Sequence, residues 1–344
     1  MSLDSGHTIY MQRCLQLAAY GLGQVAPNPM VGAVLVYHNR IIGEGYHQSF
    51  GQAHAEINCL NSVREEDRNY ISDSILYVSL EPCCHSGKTP PCTSAILKHQ
   101  IKKVVIACRD PFALVQGKGI QLLRDAGVEV MEGVLEKEAI ELNKRFICFH
   151  EQKRPYILLK WAESADGFIG KQNQEIQISN TFSKQLVHQW RSEEDAIWVG
   201  YLTAQIDNPR LNVRLTEGKN PIRIVYDRDL SLASDLFLFD RQQTTLHFHT
   251  LETKKQDRLY IKPETWLQDI LSELYQLGVS SVMIEGGQKL LQQCIDLGFW
   301  DEARVFTAHS YIQDGIRAPQ LHNHQVVEEK KIMDNMLLVY RRRY

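Results

Sequence analysis

The sequence predicts an α/β protein of two domains, and three observations carry this prediction. A chain of 344 residues is long for a single hydrophobic core. Runs of β-branched and other apolar residues alternate with segments of helical apolar spacing along most of the chain. A short charged segment ending in proline, residues 151–155, interrupts this alternation, which then starts again. We therefore expect one domain over residues 1–150 and a second over residues 151–344.

Composition narrows the class of protein. Hydrophobic content of 44% and charged content of 23% are ordinary for a globular domain, and a formal net charge of −3 gives no electrostatic reason to expect nucleic acid as a partner. The sequence contains no run of the roughly 18 apolar residues that a membrane span needs. Residues 1–6 do not resemble a signal peptide, and the eight cysteines are unevenly spaced, so we expect a protein of the reducing cytoplasm.

In the first half, the pattern begins with a helix and a hairpin. Apolar residues at helical spacing predict a helix over residues 8–23, followed by strands at 31–36 and 41–46 with a turn at 38–39. The remaining alternation predicts a helix at 54–63, a strand at 75–80, a helix at 92–99, a strand at 104–108 and further elements at 119–126, 128–131 and 135–149.

The second half alternates in the same way. It predicts strands at 156–161, 196–199, 222–226 and 281–284, helices at 182–194, 266–277 and 288–297, and β-rich runs near 303–308 and 337–340.

The strongest chemical motif lies between residues 54 and 92. The imidazole of His54 and the thiolates of Cys83 and Cys92 supply three zinc ligands and leave a fourth position for water, as in catalytic zinc sites. Zinc lowers the pKa of its bound water towards neutrality, and Glu56 is placed to pass a proton from that water to a leaving amine. His-x-Glu followed by Pro-Cys is typical of zinc nucleobase deaminases.

Two features of this motif leave alternatives open. Cys84 competes with Cys83 as a ligand, and we favour Cys83 because it directly follows Pro82, as in the deaminase pattern. A closed zinc knuckle with His85 as fourth ligand, or a set of reduced core cysteines, would also fit these residues. In addition, His54 and Glu56 would not share a face in the middle of a helix, so they converge only in an irregular first turn.

The spacing between the two cysteines departs from the usual Pro-Cys-x-x-Cys form, because eight residues separate Cys83 from Cys92. A loop held by zinc at both ends is expected to cover the mouth of the site. It carries Lys88 and Thr89, a cation and a hydroxyl that suit a small anionic substrate.

A second motif precedes the helix predicted at residues 288–297. The strand that ends in Ile284-Glu285 runs into Gly286-Gly287, where a phosphate could approach the backbone and the helix N-terminus. Two glycines after a strand are also common in simple turns, so this motif alone does not decide between the two interpretations.

The chain resembles the bifunctional riboflavin-biosynthesis deaminase–reductases. The resemblance rests on the string Glu81-Pro82-Cys83-Cys84-His85-Ser86-Gly87-Lys88-Thr89-Pro90-Pro91-Cys92, on Asn28-Pro29-Met30-Val31-Gly32, and on motifs through most of the second half. It implies an N-terminal cytidine-deaminase-like three-layer domain with zinc and a C-terminal dihydrofolate-reductase-like domain with NADPH. It also implies that Asn28, His47, Lys88 and Thr89 contact the deaminase substrate.

The resemblance also implies a reductase site. The substrate residues that it implies are Lys160, Arg191, Leu211, Arg214 and Glu285, and the cofactor residues are Ala162, Gln177, Thr203, Asp207, Arg228, Gly286 and Gly287. Two arginines suit a ribose phosphate, because guanidinium groups pair bidentately with phosphate oxygens.

Three positions depart from the family pattern. The family usually has Gly-x-Gly-Thr where this chain has Gly200-Tyr201-Leu202-Thr203, and often tryptophan in place of Gln177. Arg228 replaces a small hydroxyl residue and could meet the 2′-phosphate of NADPH, although the neighbouring Asp227 argues against this.

The implied function is two consecutive steps of riboflavin synthesis. The first domain would hydrolyse an amine from a phosphorylated diaminopyrimidine, and the second would reduce the ribosyl group of the product with NADPH. The resemblance further implies a homodimer formed through the reductase domain. The main alternative is a nucleic-acid base deaminase joined to an unrelated module, and another is a degenerate second half that only mediates dimerisation.

Overall fold

The computed structural model describes residues 4–85, 90–113, 115–171, 176–251 and 258–343. It divides into two compact units, Met1–Lys153 and Arg154–Tyr344. Lys88 and Thr89, the proposed substrate residues of the long loop, lie outside the described residues. Among the described helices, none has both the length and the apolar character that crossing a bilayer requires.

A five-stranded sheet forms the centre of the N-terminal unit. Its strands are β1 (Gly32–Tyr37), β2 (Arg40–Tyr46), β3 (Ile75–Leu80), β4 (Lys103–Cys108) and β5 (Glu129–Glu132), in the spatial order β2-β1-β3-β4-β5. Strand β1 runs antiparallel to β2 and β3, whereas β3, β4 and β5 are parallel. The helices are α1 (Asp4–Ala19), α2 (Ala55–Asn61), α3 (Cys92–Lys98), α4 (Lys118–Asp125), α5 (Glu136–Leu142) and α6 (Lys144–Gln152), with a 3-10 helix at Glu65–Asp73.

Two separate apolar cores make this unit three layers thick. Alternate side chains of β1 point to opposite faces, so Leu35 packs with α2, α3 and α4, whereas Val34 packs with α1, α5 and α6. Close packing of α2 depends on Gly45, where a Cβ would lie 2.7 Å from the carbonyl oxygen of Ala55. The three-layer α/β domain expected from the sequence is confirmed.

Two details of the N-terminal unit differ from the sequence-based elements. The first helix lies at Asp4–Ala19 instead of residues 8–23, and turns follow it. Residues 135–149 form parts of two helices that meet at Asn143. The side chain of Asn143 accepts from the N–H of Met30 at 2.8 Å and donates to its carbonyl at 2.9 Å, so this residue fixes the segment just before β1.

A nine-stranded sheet forms the centre of the C-terminal unit. Its strands are β6 (Tyr156–Glu163), β8 (Ala196–Val199), β9 (Ile222–Tyr226), β10 (Thr245–His249), β11 (Arg258–Tyr260), β12 (Ser281–Glu285), β13 (Glu302–Ala308), β15 (His324–Ile332) and β16 (Asn335–Arg342). Their order is β11-β10-β9-β8-β12-β6-β13-β16-β15, and only the β13-β16 and β16-β15 pairs are antiparallel. A small second sheet pairs β7 (Phe168–Gly170) with β14 (Ile316–Arg317).

Helices cover both faces of the nine-stranded sheet. They are α7 (Thr181–Glu193), α8 (Tyr201–Asp207), α9 (Trp266–Gln276) and α10 (Gln288–Asp296), with a 3-10 turn at Phe237–Phe239. Helices α9 and α10 pack in one core, and α7 and α8 in the other. Because the central strands are parallel, β6, β8 and β12 end at the same edge of the sheet.

Two candidate active sites

Three metal-binding side chains converge in the N-terminal unit. His54, Cys83 and Cys92 have donor atoms that all lie within 4.8 Å of one another. The His54 Nδ1 atom is 3.5 Å from the Cys83 sulfur and 3.3 Å from the Cys92 sulfur. With ordinary zinc bond lengths, a tetrahedral ion holds its nitrogen and sulfur ligands about 3.6 Å apart. The three donors therefore fit one zinc ion.

The local backbone brings these donors together. His54 precedes α2 in an extended conformation (φ −73°, ψ 165°), and Glu56 lies in the first helical turn. This is the irregular start that the sequence required for the two side chains to converge. Cys83 follows the end of β3, and Cys92 begins α3 and donates its backbone N–H to the Cys83 sulfur at 3.3 Å.

The two thiols do not titrate alike. Hydrogen bonds from Cys92 and His54 lower the pKa of the Cys83 thiol, against the opposing effect of burial. The Cys83 sulfur in turn raises the pKa of Cys92 well above the usual thiol range, and burial adds to this. A divalent cation between the two sulfurs would favour the thiolate form of both, since metal ligands bind deprotonated.

Glu56 is the buried acid beside these ligands. Its side chain is only 3% exposed, and burial together with the charge of Cys83 raises the pKa of its carboxyl to about 7. A carboxyl group with a pKa in this range can both accept and release a proton near neutral pH.

Asn28 and His47 complete the surroundings of His54. The Asn28 amide nitrogen lies 3.1 Å from His47 Nε2, and His47 Nδ1 lies 3.1 Å from the Ala53 carbonyl oxygen. Donation to that carbonyl leaves Nε2 as the acceptor of the Asn28 amide, so the ring is neutral, and burial lowers the pKa of His47 accordingly. The His47 and His54 rings meet edge to face at 5.4 Å between centroids.

Cys84 and His85 are not members of the donor group formed by the described residues. Burial raises the pKa of the Cys84 thiol, with the charge of Glu81 acting in the same direction. A higher thiol pKa disfavours the thiolate form that zinc needs. The geometry therefore agrees with the choice of Cys83 over Cys84 and gives no support to a closed knuckle.

Glu81 is a buried neighbour of Cys83 whose structural role is not evident from the sequence alone. Its carboxylate is buried and accepts four backbone N–H groups, at distances from 2.9 to 3.3 Å. The donors belong to the segment that leads into α4, namely Asp110, Gly117, Gly119 and Ile120. Glu81 therefore fixes the chain on one side of Cys83, and its place in the Glu-Pro-Cys string is the signal that could have revealed this.

The second candidate site lies at the carboxyl ends of β6 and β12. Lys160 and Glu285 are register partners on these adjacent parallel strands, so their side chains share one face of the sheet. Arg191 of α7 holds Glu285 by two short contacts of 2.6 and 2.8 Å and donates to the Asn212 carbonyl at 3.1 Å. The family resemblance implied separate substrate contacts for Arg191 and Glu285, and the structure pairs these two residues with each other.

This pairing leaves an excess of positive charge. Burial lowers the pKa of the Lys160 ammonium, while Glu285 opposes the shift and Arg191 adds to it. Arg214 has an exposed side chain and donates to the side-chain oxygen of Asn212 at 2.8 Å. Once Arg191 is balanced by Glu285, Lys160 and Arg214 remain as cations that an anionic group could meet.

A glycine cluster adjoins this site. Gly286 and Gly287 have φ values of 88° and 82°, which favour glycine, and they precede α10 directly. A Cβ on Gly287 would come within 3.3 Å of the Gly200 Cα and 3.5 Å of the Thr203 hydroxyl. The ends of β8 and β12 thus meet with little side-chain bulk beside a helix N-terminus, an arrangement that suits a phosphate group.

The other implied reductase residues have less direct placements. Ala162 lies in β6 and is partly buried against the core, whereas Leu211 is 2% exposed, so its side chain belongs to the core. Gln177 is exposed and donates to the carbonyl of Ser179, and Asp207 is exposed at the end of α8. Arg228 is exposed with its nearest acid, Asp229, at 3.8 Å.

The sequence suggested that the charge of Asp227 would disfavour a 2′-phosphate beside Arg228, and the structure does not support this argument. Its side chain is fully buried, and its carboxylate accepts the backbone N–H groups of Ser231 and Leu232, both at 3.0 Å. His247 Nε2 lies 3.2 Å from the same carboxylate. Asp227 therefore organises the turn after β9, and its charge is already compensated inside the protein.

Two family models match the chain, one for each candidate site. Residues 4–108 match the cytidine and deoxycytidylate deaminase zinc-binding region, and residues 155–312 match the RibD C-terminal domain. The riboflavin biosynthesis protein RibD of Aquifex aeolicus is 37% identical over 97% of this chain and 98% of its own length. The RibD protein of Bacillus amyloliquefaciens is 38% identical over 91% of this chain and 86% of its own length.

Solved structures agree with these matches. A diaminohydroxyphosphoribosylaminopyrimidine deaminase/5-amino-6-(5-phosphoribosylamino)uracil reductase from Thermotoga maritima superimposes with a TM-score of 0.90 at 34% identity, over 99% of both chains. RibD of Acinetobacter baumannii gives a TM-score of 0.90 at 31% identity. A single family accounts for both halves, so the alternative of a nucleic-acid deaminase joined to an unrelated module is set aside. The chain belongs to the RibD family of bifunctional deaminase–reductases in riboflavin biosynthesis, in which a zinc-dependent and an NADPH-dependent activity share one polypeptide.

Proposed function

We propose that this chain carries out the two reactions named for the Thermotoga protein. The first removes an amine from a diaminohydroxypyrimidine that bears a phosphoribosylamino group. The second reduces the resulting 5-amino-6-(5-phosphoribosylamino)uracil. We propose that this step converts its ribosyl group to ribityl, as the family resemblance implies. The observation that carries this proposal is the convergence of His54, Cys83 and Cys92 around one point beside a buried Glu56.

In the deamination, zinc held by His54, Cys83 and Cys92 would lower the pKa of a water molecule to near neutrality and so supply the nucleophile. Glu56 would accept one proton of that water and deliver it to the departing nitrogen, and the second proton would pass to the neighbouring ring nitrogen as the carbonyl forms. The new C–O bond forms at the ring carbon, the C–N bond breaks, and ammonia leaves. The Asn28 amide, held by His47 at 3.1 Å, is oriented to bind a polar group of the pyrimidine.

In the reduction, bound NADPH would supply a hydride for the anomeric carbon of the ribose. The bond between this carbon and the ring oxygen breaks, the nitrogen stays attached, and a proton must reach the departing ring oxygen. Lys160 is our candidate for that proton donor, because burial lowers the pKa of its ammonium group. Arg214 would bind the ribose phosphate. For NADPH, we assign the phosphate-binding backbone to Gly286 and Gly287, with Thr203 beside them and Ala162, Gln177, Asp207 and Arg228 as outer contacts.

We place the enzyme in the cytoplasm. None of the eight cysteines, all of which lie within the described residues, is in a disulfide, and disulfides are rare in the reducing cytoplasm. Recovery of the protein from an oxidising compartment during cell fractionation would contradict this placement.

The zinc ligands can be tested by metal content. Cys83→Ser and Cys92→Ser should each lose most of the bound zinc, since a hydroxyl is a poor substitute for a thiolate ligand. Cys84→Ser is the matched control and should keep about one zinc per chain. Metal analysis after dialysis against a weak chelator measures the difference. Zinc retained in Cys83→Ser together with zinc lost in Cys84→Ser would overturn the assignment.

The two activities should be separable by single substitutions. Glu56→Gln preserves size but removes the proton carrier, so deamination should fall by roughly 10²–10⁴-fold while reduction of supplied aminouracil intermediate continues. Lys160→Met, which keeps chain length without the charge, should deaminate normally and fail to form the ribityl product. Product analysis by chromatography distinguishes these results. If a correctly folded Glu56→Gln variant also lost the reductase step, the two sites would not be independent.

Arg228 provides a test of cofactor selectivity. Arg228→Ala should raise the KM for NADPH by about tenfold, the effect of losing one hydrogen bond to a charged group, and leave the KM for NADH unchanged. Arg241→Ala, an exposed arginine elsewhere in the same unit, is the control. Steady-state rates with each cofactor give both constants. An equal change for NADPH and NADH would show that Arg228 does not recognise the 2′-phosphate.

We further propose that the chain forms a homodimer through the reductase unit. Strand β15 is the outer edge of the nine-stranded sheet, and all its residues except the two at its ends are exposed. It presents Val326 and Val327, which are 53% and 43% exposed, next to the charged residues Glu328, Glu329, Lys330 and Lys331. The unpaired N–H and C=O groups of this edge could pair with those of a second copy.

Sedimentation equilibrium tests this proposal. The wild-type protein should have twice the mass of one chain, and Val327→Lys should weaken the dimer because it introduces a charge at the edge. Met333→Lys, in the turn between β15 and β16, is an exposed control and should leave the dimer intact. A monomeric wild-type protein would contradict the proposal.

A further inference from the structure

The segment from Leu211 to Arg214 is fastened to helix α7 by hydrogen bonds. The backbone N–H of Arg214 donates to Nδ1 of His188 at 3.2 Å. Arg191, on the same helix, donates from Nη1 to the backbone carbonyl of Asn212 at 3.1 Å. The side chain of Asn212 in turn accepts from the Arg214 guanidinium at 2.8 Å.

His188 is built into this arrangement as a neutral acceptor. It is 3% exposed, and accepting an N–H at Nδ1 requires that atom to be unprotonated. Burial lowers the pKa of His188 to about 4, and the guanidinium groups of Arg191 and Arg214 act in the same direction. At neutral pH the ring therefore remains uncharged and continues to accept the Arg214 N–H.

Helix α7 connects this segment to the end of the sheet. His188 and Arg191 are three residues apart and share one face of the helix. Arg191 contacts the Asn212 carbonyl with one nitrogen and holds Glu285, at the end of β12, with two others. The position of the Arg214 backbone relative to Lys160 and Glu285 is thus set through α7.

We propose that His188 is a positioning residue of the reductase site. By holding the Arg214 backbone against α7, with Asn212 directing the side chain, it places the Arg214 guanidinium where the phosphate of the substrate binds. His188 itself does not touch the substrate. This inference rests on the proposed function, in which Arg214 binds the ribose phosphate.

The test compares reduction of the aminouracil substrate with and without its phosphate in four variants of the full-length enzyme. Arg214→Ala should reduce the preference for the phosphorylated form, as measured by the ratio of the two kcat/KM values. His188→Leu removes the acceptor at similar volume and should raise the KM for the phosphorylated substrate by about tenfold. Its kcat, its KM for NADPH and its deaminase activity should stay within about twofold of wild type.

Two further variants separate positioning from general damage. In His188→Asn, the side-chain oxygen can take the place of Nδ1, so this variant should recover most of the phosphate preference. Asn212→Ala removes only the acceptor of the Arg214 guanidinium at a partly exposed position, so it keeps the test usable if His188→Leu does not fold. It should also raise the KM for the phosphorylated substrate selectively.

Two results would overturn the inference in distinguishable ways. If His188→Leu or Asn212→Ala weakened both forms of the substrate equally while Arg214→Ala was selective, His188 and Asn212 would be merely structural and the phosphate role of Arg214 would stand. If Arg214→Ala left the preference unchanged, the phosphate role itself would be wrong, and the inference would fail with it.

Discussion

Both candidate sites depend on one geometric constraint, which is that the carboxyl end of a buried strand brings functional residues to one edge of a sheet. In the N-terminal unit this edge receives Cys83 just after β3, where Cys92 and His54 meet it. In the C-terminal unit it receives Lys160 and Glu285 from adjacent strands in register. The sheet of each unit therefore positions part of its candidate site, and residues from loops and from the first turns of helices complete that site.

Buried carboxylates stabilise the loops at these edges. A buried charge is costly unless it is paired or hydrogen-bonded, so each carboxylate orders the chain that satisfies it. Glu81 collects four backbone N–H groups on one side of the metal ligands. Just after β9, the Asp227 carboxylate accepts two backbone N–H groups and contacts the side chain of His247 in β10. At the end of β12, Glu285 pairs with Arg191. Acidic side chains thus order the chain at three strand ends. In contrast, neither an arginine nor a lysine contributes to the raised pKa of buried Glu56, and its carboxyl group is suited to carry a proton.

Sequence reasoning succeeded where a local pattern determines the structure. Strands β3, β8 and β9 were predicted with the bounds that the structure shows, because compact apolar runs lie between polar segments. The three residues that the deaminase motif predicts as zinc donors lie close together in the structure. Strand β15 was missed, since it is exposed on both faces and has no apolar alternation.

Pairings between residues far apart in the sequence could not be predicted, because no local pattern indicates them. Arg191 and Glu285 are 94 positions apart, and nothing in either local sequence indicates that they neutralise each other. The side chain of Asp227 could point either way from the sequence alone, and only the fold turns it towards Ser231 and Leu232. Substrate contacts assigned by resemblance therefore need the three-dimensional pairing before their charges can be counted.

The most direct test of two working sites on one chain is to follow both reactions in a single sample. The purified protein is incubated with the phosphorylated diaminopyrimidine, first alone and then with NADPH. Without NADPH, one ammonia should be released per substrate and the aminouracil should accumulate. After NADPH is added, one NADPH should be oxidised per aminouracil to give the ribityl product. Ammonia release with no subsequent NADPH oxidation would contradict the account, because the second unit would then be a module without reductase activity.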